Sequence, residues 1–194
     1  MEELENTEED QTVPISKKEM FSFIWEMIRV IIVSLAIIIP IRYYVVQPFF
    51  VKGASMESTF ENNDYILIDE LSYFFRDPRR DEIIVFRSPE NSSQFFIKRI
   101  IGLPGDTVKI ENNKVSIFND QSPEGLLLNE SSYLDRGQET RGNITMTISS
   151  SNYFVMGDNR LQSSDSRRWG ELDKSLITGK VFIRIWPLNK IKRF

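Results

Sequence analysis

Two residues set what chemistry this chain can do. Ser55 lies in Gly53-Ala54-Ser55-Met56-Glu57-Ser58-Thr59-Phe60, and Lys98 lies in Phe95-Phe96-Ile97-Lys98-Arg99. The 194 residues include no histidine and no cysteine. A nucleophilic serine ordinarily gives its proton to an imidazole. Without one, the base must be a lysine or a carboxylate. A lysine works as a base only when its amine is neutral, and desolvation lowers its pKa toward that condition. Phe95, Phe96, Ile97, Ile100 and Ile101 surround Lys98 in sequence and supply apolar neighbours. Taken alone, Lys98 reads as a strand-edge lysine facing water and Ser55 as a turn serine. Other residues have to decide between the readings.

The missing types exclude as much as they suggest. No cysteine means no thiolate catalysis, no disulfide scaffold and no thiolate zinc site. Only oxygen ligands remain for a metal, so neither a metal nor a cofactor is expected. At 41% hydrophobic the chain can bury a core. Its net charge of −4 is uneven, with Glu2, Glu3, Glu5, Glu8, Glu9, Asp10 and Glu19 crowding the first residues. The remainder is nearly balanced and shows no clustered excess of base, so no nucleic-acid partner is expected.

The elements that must position Ser55 and Lys98 come in two kinds. Met20–Ile41 is apolar apart from Glu26 and Arg29, and about 20 apolar residues cross a bilayer core. The i,i+3 spacing lets Glu26 and Arg29 pair. The acidic start and the absence of a small-residue cleavage site favour an uncleaved anchor over a secretory signal. Lys17 and Lys18 before it, with Arg42 and Lys52 after it, leave the orientation undecided by charge.

Beyond the anchor the pattern is that of strands: Tyr65–Ile68, Ile83–Phe86, Phe95–Ile97, Thr107–Ile110, Val115–Ile117, Tyr153–Met156 and Val181–Ile185. Asn62-Asn63-Asp64, Pro104-Gly105-Asp106 and Asn112-Asn113 are turn signals between them. No long helical periodicity appears outside the anchor. The expectation is a mostly β, antiparallel-sheet domain over 42–194, behind an acidic tail at 1–19 and an anchor at 20–41. The polar stretch from about 122 to 152 reads as an excursion outside the core.

Three segments now line up: Ser55-Met56 with Thr59, then Lys98-Arg99-Ile100-Ile101-Gly102-Leu103-Pro104-Gly105-Asp106, then Gly157-Asp158-Asn159-Arg160-Leu161-Gln162-Ser163-Ser164-Asp165-Ser166-Arg167. A weaker fourth is Asp81–Phe86. In this order and behind an anchor, they resemble the signature boxes of bacterial type I signal peptidases, in the short single-span form common in Gram-positive bacteria. The resemblance implies a membrane-bound endopeptidase that removes signal peptides from exported preproteins, with Ser55 as nucleophile and Lys98 as general base. It implies a catalytic domain outside the cytoplasmic membrane and an N-terminus inside. It also implies that Ser163 orients the lysine amine and that Asp165 and Arg167 form a supporting ion pair. Asp158 is placed to pair with Arg99.

Val51, Phe60, Phe96 and Ile97 would close shallow pockets for small residues at the first and third positions before the cut. The preprotein would add there as a strand. Phe49-Phe50 and Phe74-Phe75 read equally as contacts to the lipid bilayer or as core aromatics. Gly53 departs from relatives that carry a serine there as a second oxyanion donor. Ser58 stands where proline is common, and Gln162 where asparagine is usual. Two other readings use the same residues: a self-cleaving Ser-Lys protease, and an inactive, membrane-tethered β domain that binds secreted partners.

Overall fold

The computed structural model describes residues 17–44 and 46–194, and the side chains of 40–46 fall outside the description. The expected acidic tail therefore lies outside it as far as residue 16. The chain divides into two compact units, Met1–Ile41 and Arg42–Phe194.

The first unit is carried by helix α1, Lys17–Tyr44, which begins before and ends beyond the apolar segment. Lys17–Ile39 has a mean hydropathy of 2.2 and none of it is buried by protein, so it is long and apolar enough to cross a membrane. Among the described residues no ion pair joins Glu26 to Arg29, contrary to the expected pairing. Both side chains are exposed, so neither needs the other to satisfy it.

The second unit is β, as expected. Its strands are β1 Val46–Phe50, β2 Tyr65–Asp69, β3 Ile83–Arg87, β4 Phe95–Gly102, β5 Thr107–Glu111, β6 Lys114–Asn119, β7 Ser122–Leu127, β8 Ile144–Thr147, β9 Asn152–Met156, β10 Leu172–Asp173, β11 Ile177–Trp186 and β12 Lys192–Arg193. Every pairing is antiparallel. One sheet runs β1-β2-β11-β3-β4-β9-β10 with β12 on β11, and the other runs β7-β6-β5-β8. The helices α2, Ser72–Phe75, and α3, Ser166–Trp169, are single turns.

The excursion expected near 122–152 is only partly one. It contributes β7 and β8 to the second sheet, and its last residues bury Ile148 in the core. Polar side chains hid these strands because β7 and β8 show alternating or open faces, half to solvent.

Strand β4 is the hub of the domain. Ile97 packs in one apolar cluster with Val51, Phe60, Ile66 and Val85. Ile100 packs in a second with Ile84, Phe86 and Val155. Ile101 packs in a third, under the second sheet, with Val108, Ile117 and Phe154. A strand locked by close packing on all sides holds whatever side chain it carries to a narrow range of positions. It carries Lys98.

Candidate active site

Ser55 sits in a tight turn between β1 and β2. Glu57 N–H donates to Ala54 O at 3.2 Å, and Phe60 N–H to Met56 O at 2.7 Å. Buried Met56 and Phe60 anchor the turn below. Gly53 enters it with φ of +86°, a left-handed conformation that glycine adopts without steric penalty. Its N–H donates to Asn62 Oδ1 at 3.0 Å. Arg184 on β11 holds the far end, donating to Thr59 O and Asp64 Oδ2, each at 2.9 Å.

Lys98 reaches this turn from β4. Its Nζ lies 2.7 Å from Ser55 Oγ and donates to Ile97 O at 2.9 Å. The residue is 3% exposed. The β3–β4 register places Lys98 opposite Ile84, and the Phe96 ring lies 5.5 Å from its nitrogen. Desolvation lowers the lysine pKa from 10.5 to about 8, against opposing pulls from Asp165 and Asp158. The amine is thus easily freed of its proton near neutrality.

The third motif packs behind the pair. Asp158 is fully buried and takes a bidentate contact from Arg99, Nε to Oδ1 at 2.9 Å and Nη2 to Oδ2 at 2.6 Å. Asp165 is likewise bidentate with Arg167, at 2.8 Å for both bonds. It also accepts the Gly157 N–H at 3.1 Å and caps α3. Bidentate pairing orients both partners. A Cβ on Gly157 would overlap Ser163 Oγ and the Ser55 carbonyl oxygen, so no side chain fits between the two segments. Ser163 reaches the site without contacting the amine. Its Oγ is buried and has no hydrogen-bond partner among the described residues.

Beside the dyad, a cavity of about 270 Å³ opens between β1 and β4. Val51, Phe96 and Ile97 line it as expected, together with Phe49, Ile66 and Val85. Phe60 does not. It is fully buried in the core, its ring 4.6 Å from that of Phe194. One edge of β4 is open along this cavity. Among the described residues β9 pairs with Arg99, Ile100 and Gly102, leaving Phe95–Lys98 laddered to β3 alone. A strand edge of this kind accepts an extended peptide.

A family described as signal peptidase, peptidase S26 matches residues 24–186. The chain belongs to this family. The S26 signal peptidases are serine endopeptidases working through a Ser-Lys dyad, and this chain is one of these enzymes. Signal peptidase I of Leptolyngbya laminosa is 32% identical over 91% of this chain and 86% of its own. Signal peptidase I U of Bacillus subtilis is 33% identical over 94% of this chain and 97% of its own. A crystal structure of a signal peptidase I from Enterococcus faecalis V583 is 31% identical, with a TM-score of 0.45, covering 54% of this chain and 97% of that one. With its apolar helix, the chain is a membrane-anchored signal peptidase.

Several contacts at the site had no clear mark in the sequence. Thr59 Oγ1 donates to Asp158 Oδ2 at 2.5 Å, linking the nucleophile turn to the ion pair behind the lysine. The Tyr133 ring lies 4.0 Å from the Arg99 guanidinium carbon, and Ser58 Oγ donates to Tyr133 O at 3.2 Å. Arg160, also buried, holds Glu130 and Thr140 from the same loop and the Gly157 carbonyl. Thr59 stands within the first motif and could have been suspected there. Tyr133 and Glu130 lie in polar sequence far from any motif.

Proposed function

We propose that Ser55 is the nucleophile and Lys98 the general base that cut signal peptides from exported preproteins. The observation that carries this reading is the 2.7 Å approach of a desolvated lysine nitrogen to Ser55 Oγ. A neutral Lys98 takes the hydroxyl proton as Oγ attacks the scissile carbonyl carbon. The oxyanion that forms meets the Ser55 N–H, the donor we assign where Gly53 offers no hydroxyl. The lysine ammonium passes its proton to the leaving amine, and an acyl-enzyme remains. Water then attacks, gives a proton to Lys98, and Ser55 recovers its own. Ser163, with its hydroxyl uncommitted beside Gly157, is assigned to hold the amine once it is charged. The two bidentate ion pairs fix the segments that carry these groups.

The preprotein adds as a strand to the open edge at Phe95–Lys98. The cavity then receives the side chains at the first and third positions before the cut, since alternate residues of a strand share a face. Its apolar walls at Val51, Ile97 and Phe96 favour small residues such as alanine. The domain 42–194 is assigned to the outer side of the cytoplasmic membrane and the tail 1–19 to the inside. The lipid surface is assigned to Phe50, Phe74 and Phe75, which project from the domain and are 64%, 79% and 82% exposed.

The test is cleavage of a preprotein with an Ala-x-Ala site by the detergent-solubilised protein, beside folded Ser55→Ala and Lys98→Ala variants. Cutting after the second alanine by the parent alone supports the assignment. Activity that survives Lys98→Ala would show that another group is the base.

A further inference from the structure

A second cavity, of about 440 Å³, opens at the end of the sheet where β2, β3 and β11 meet the start of β4. Phe95 lines both cavities, so the second adjoins the groove beside the dyad. The junction is built. Phe49 and Phe95 meet edge to face at 5.1 Å, and the Arg87 guanidinium lies over the Phe95 ring at 4.8 Å. Arg87 and Phe95 are opposite each other in the β3–β4 register, two rows beyond the Val85–Ile97 pair that lines the first cavity and so on the same face. From the first cavity to the second the lining thus advances by one two-residue strand repeat, from mainly apolar walls to mixed ones.

The mixed walls have a specific character. Gln47, Glu70 and Tyr73 supply polar groups, while Phe74 and Phe95 supply rings. Glu70 Oε1 is buried and has no hydrogen-bond partner among the described residues. Burial raises the Glu70 pKa. An unmet buried acceptor is unfavourable, and an arriving donor removes that penalty. Arg87 and Lys174 also line the cavity, which disfavours a cationic visitor. A long side chain with an apolar stem and an uncharged donor at its tip fits best.

Resting on the Ser-Lys peptidase reading, we propose that this cavity is a third specificity subsite, for the side chain five positions before the cut, and that it selects glutamine-like residues. In an extended peptide the first, third and fifth positions lie on one face and span about 13 Å. Along β4, Lys98 at the dyad, Ile97 at the first cavity and Phe95 at the second come in that order.

The experiment uses the full chain in detergent and a peptide series with alanine at the first and third positions, bearing Gly, Leu, Gln or Lys at the fifth. kcat/KM is expected to be higher for Gln than for Leu or Gly by about fivefold, the effect of one added hydrogen bond. In Glu70→Leu the Gln-to-Leu ratio should fall toward one. Equal cleavage of all four peptides by the parent overturns the subsite and leaves the peptidase reading intact, as does a ratio unchanged in Glu70→Leu. A parent that cuts none of them overturns both.

Discussion

Lys98 ties activity and stability to pH in opposite senses from an ordinary surface lysine. As base it must be neutral, so kcat/KM should climb about tenfold per unit as pH approaches 8 and level off above it. Its folded pKa is below its unfolded value, so between about 8 and 10.5 the unfolded chain holds the proton that the native state has released. Stability from this group therefore rises with pH across that window, and below it the penalty of a buried charge is felt in full. Lys98→Met should accordingly be inactive yet more stable at pH 7, by on the order of 2–3 kcal/mol. Denaturant titrations of both proteins at pH 7 and pH 10.5 check this. A gap that does not shrink at the higher pH would contradict it. Gly157 makes a different demand, for space alone. Gly157→Ala should push the Ser55 carbonyl and lower kcat by about a hundredfold, the scale of a misplacement near 1 Å. Ser163→Ala deletes a buried hydroxyl without a partner. It should leave the melting temperature nearly unchanged while lowering kcat about tenfold, the loss of one charge-assisted bond in the reacting complex.

At the scale of elements, the loop between β7 and β8 does more than connect them. Glu130 and Thr140 close on Arg160, and Tyr133 covers Arg99 from outside. The loop thereby covers two arginines of the site, Arg99 and Arg160. Removing the ring in Tyr133→Ala exposes the Arg99–Asp158 pair and should cost about 2 kcal/mol, the upper range for a desolvated cation–π contact. Tyr133→Phe keeps the ring and gives up only the hydroxyl's bond to neighbouring Glu130. Chemical denaturation should separate the two variants clearly. Similar losses from both would show that the hydroxyl, and not the ring, holds the loop.

For the molecule as a whole, all three apolar clusters are built from residues between Val51 and Val181 or packed against that set. A chain starting at Arg42 should therefore fold without the helix, melt cooperatively and cut a soluble Ala-x-Ala peptide. Circular dichroism and a peptide assay test this together. A truncated chain that is unfolded would place part of its stability in the first unit. Much of the domain could be read in advance from β-branched runs such as Ile83–Phe86 and Tyr153–Met156, because both faces of those strands are buried and their composition shows it. Strands β1, β7 and β8 escaped because Pro48, Pro123 and alternating threonines carry no apolar run. At the site, Ser55 and Lys98 were legible from chemistry and motif. Phe60 was misplaced as a pocket wall because an apolar residue looks the same whether it lines a cavity or fills a core. Phe49, Phe95 and Tyr133 act through contacts across the fold, which spacing along the chain does not encode.

Among the described residues the open edge of β4 ends at Lys98, and the cavity beside it follows that edge toward Phe95. In the proposed strand addition, the main-chain bonds of this edge go to the part of the preprotein ahead of the cut. On that proposal the mature protein should depart first once the bond is broken, while the severed leader keeps its ladder. Leader fragments should therefore compete with fresh preprotein, and turnover at high substrate should be set by how fast the leader is cleared.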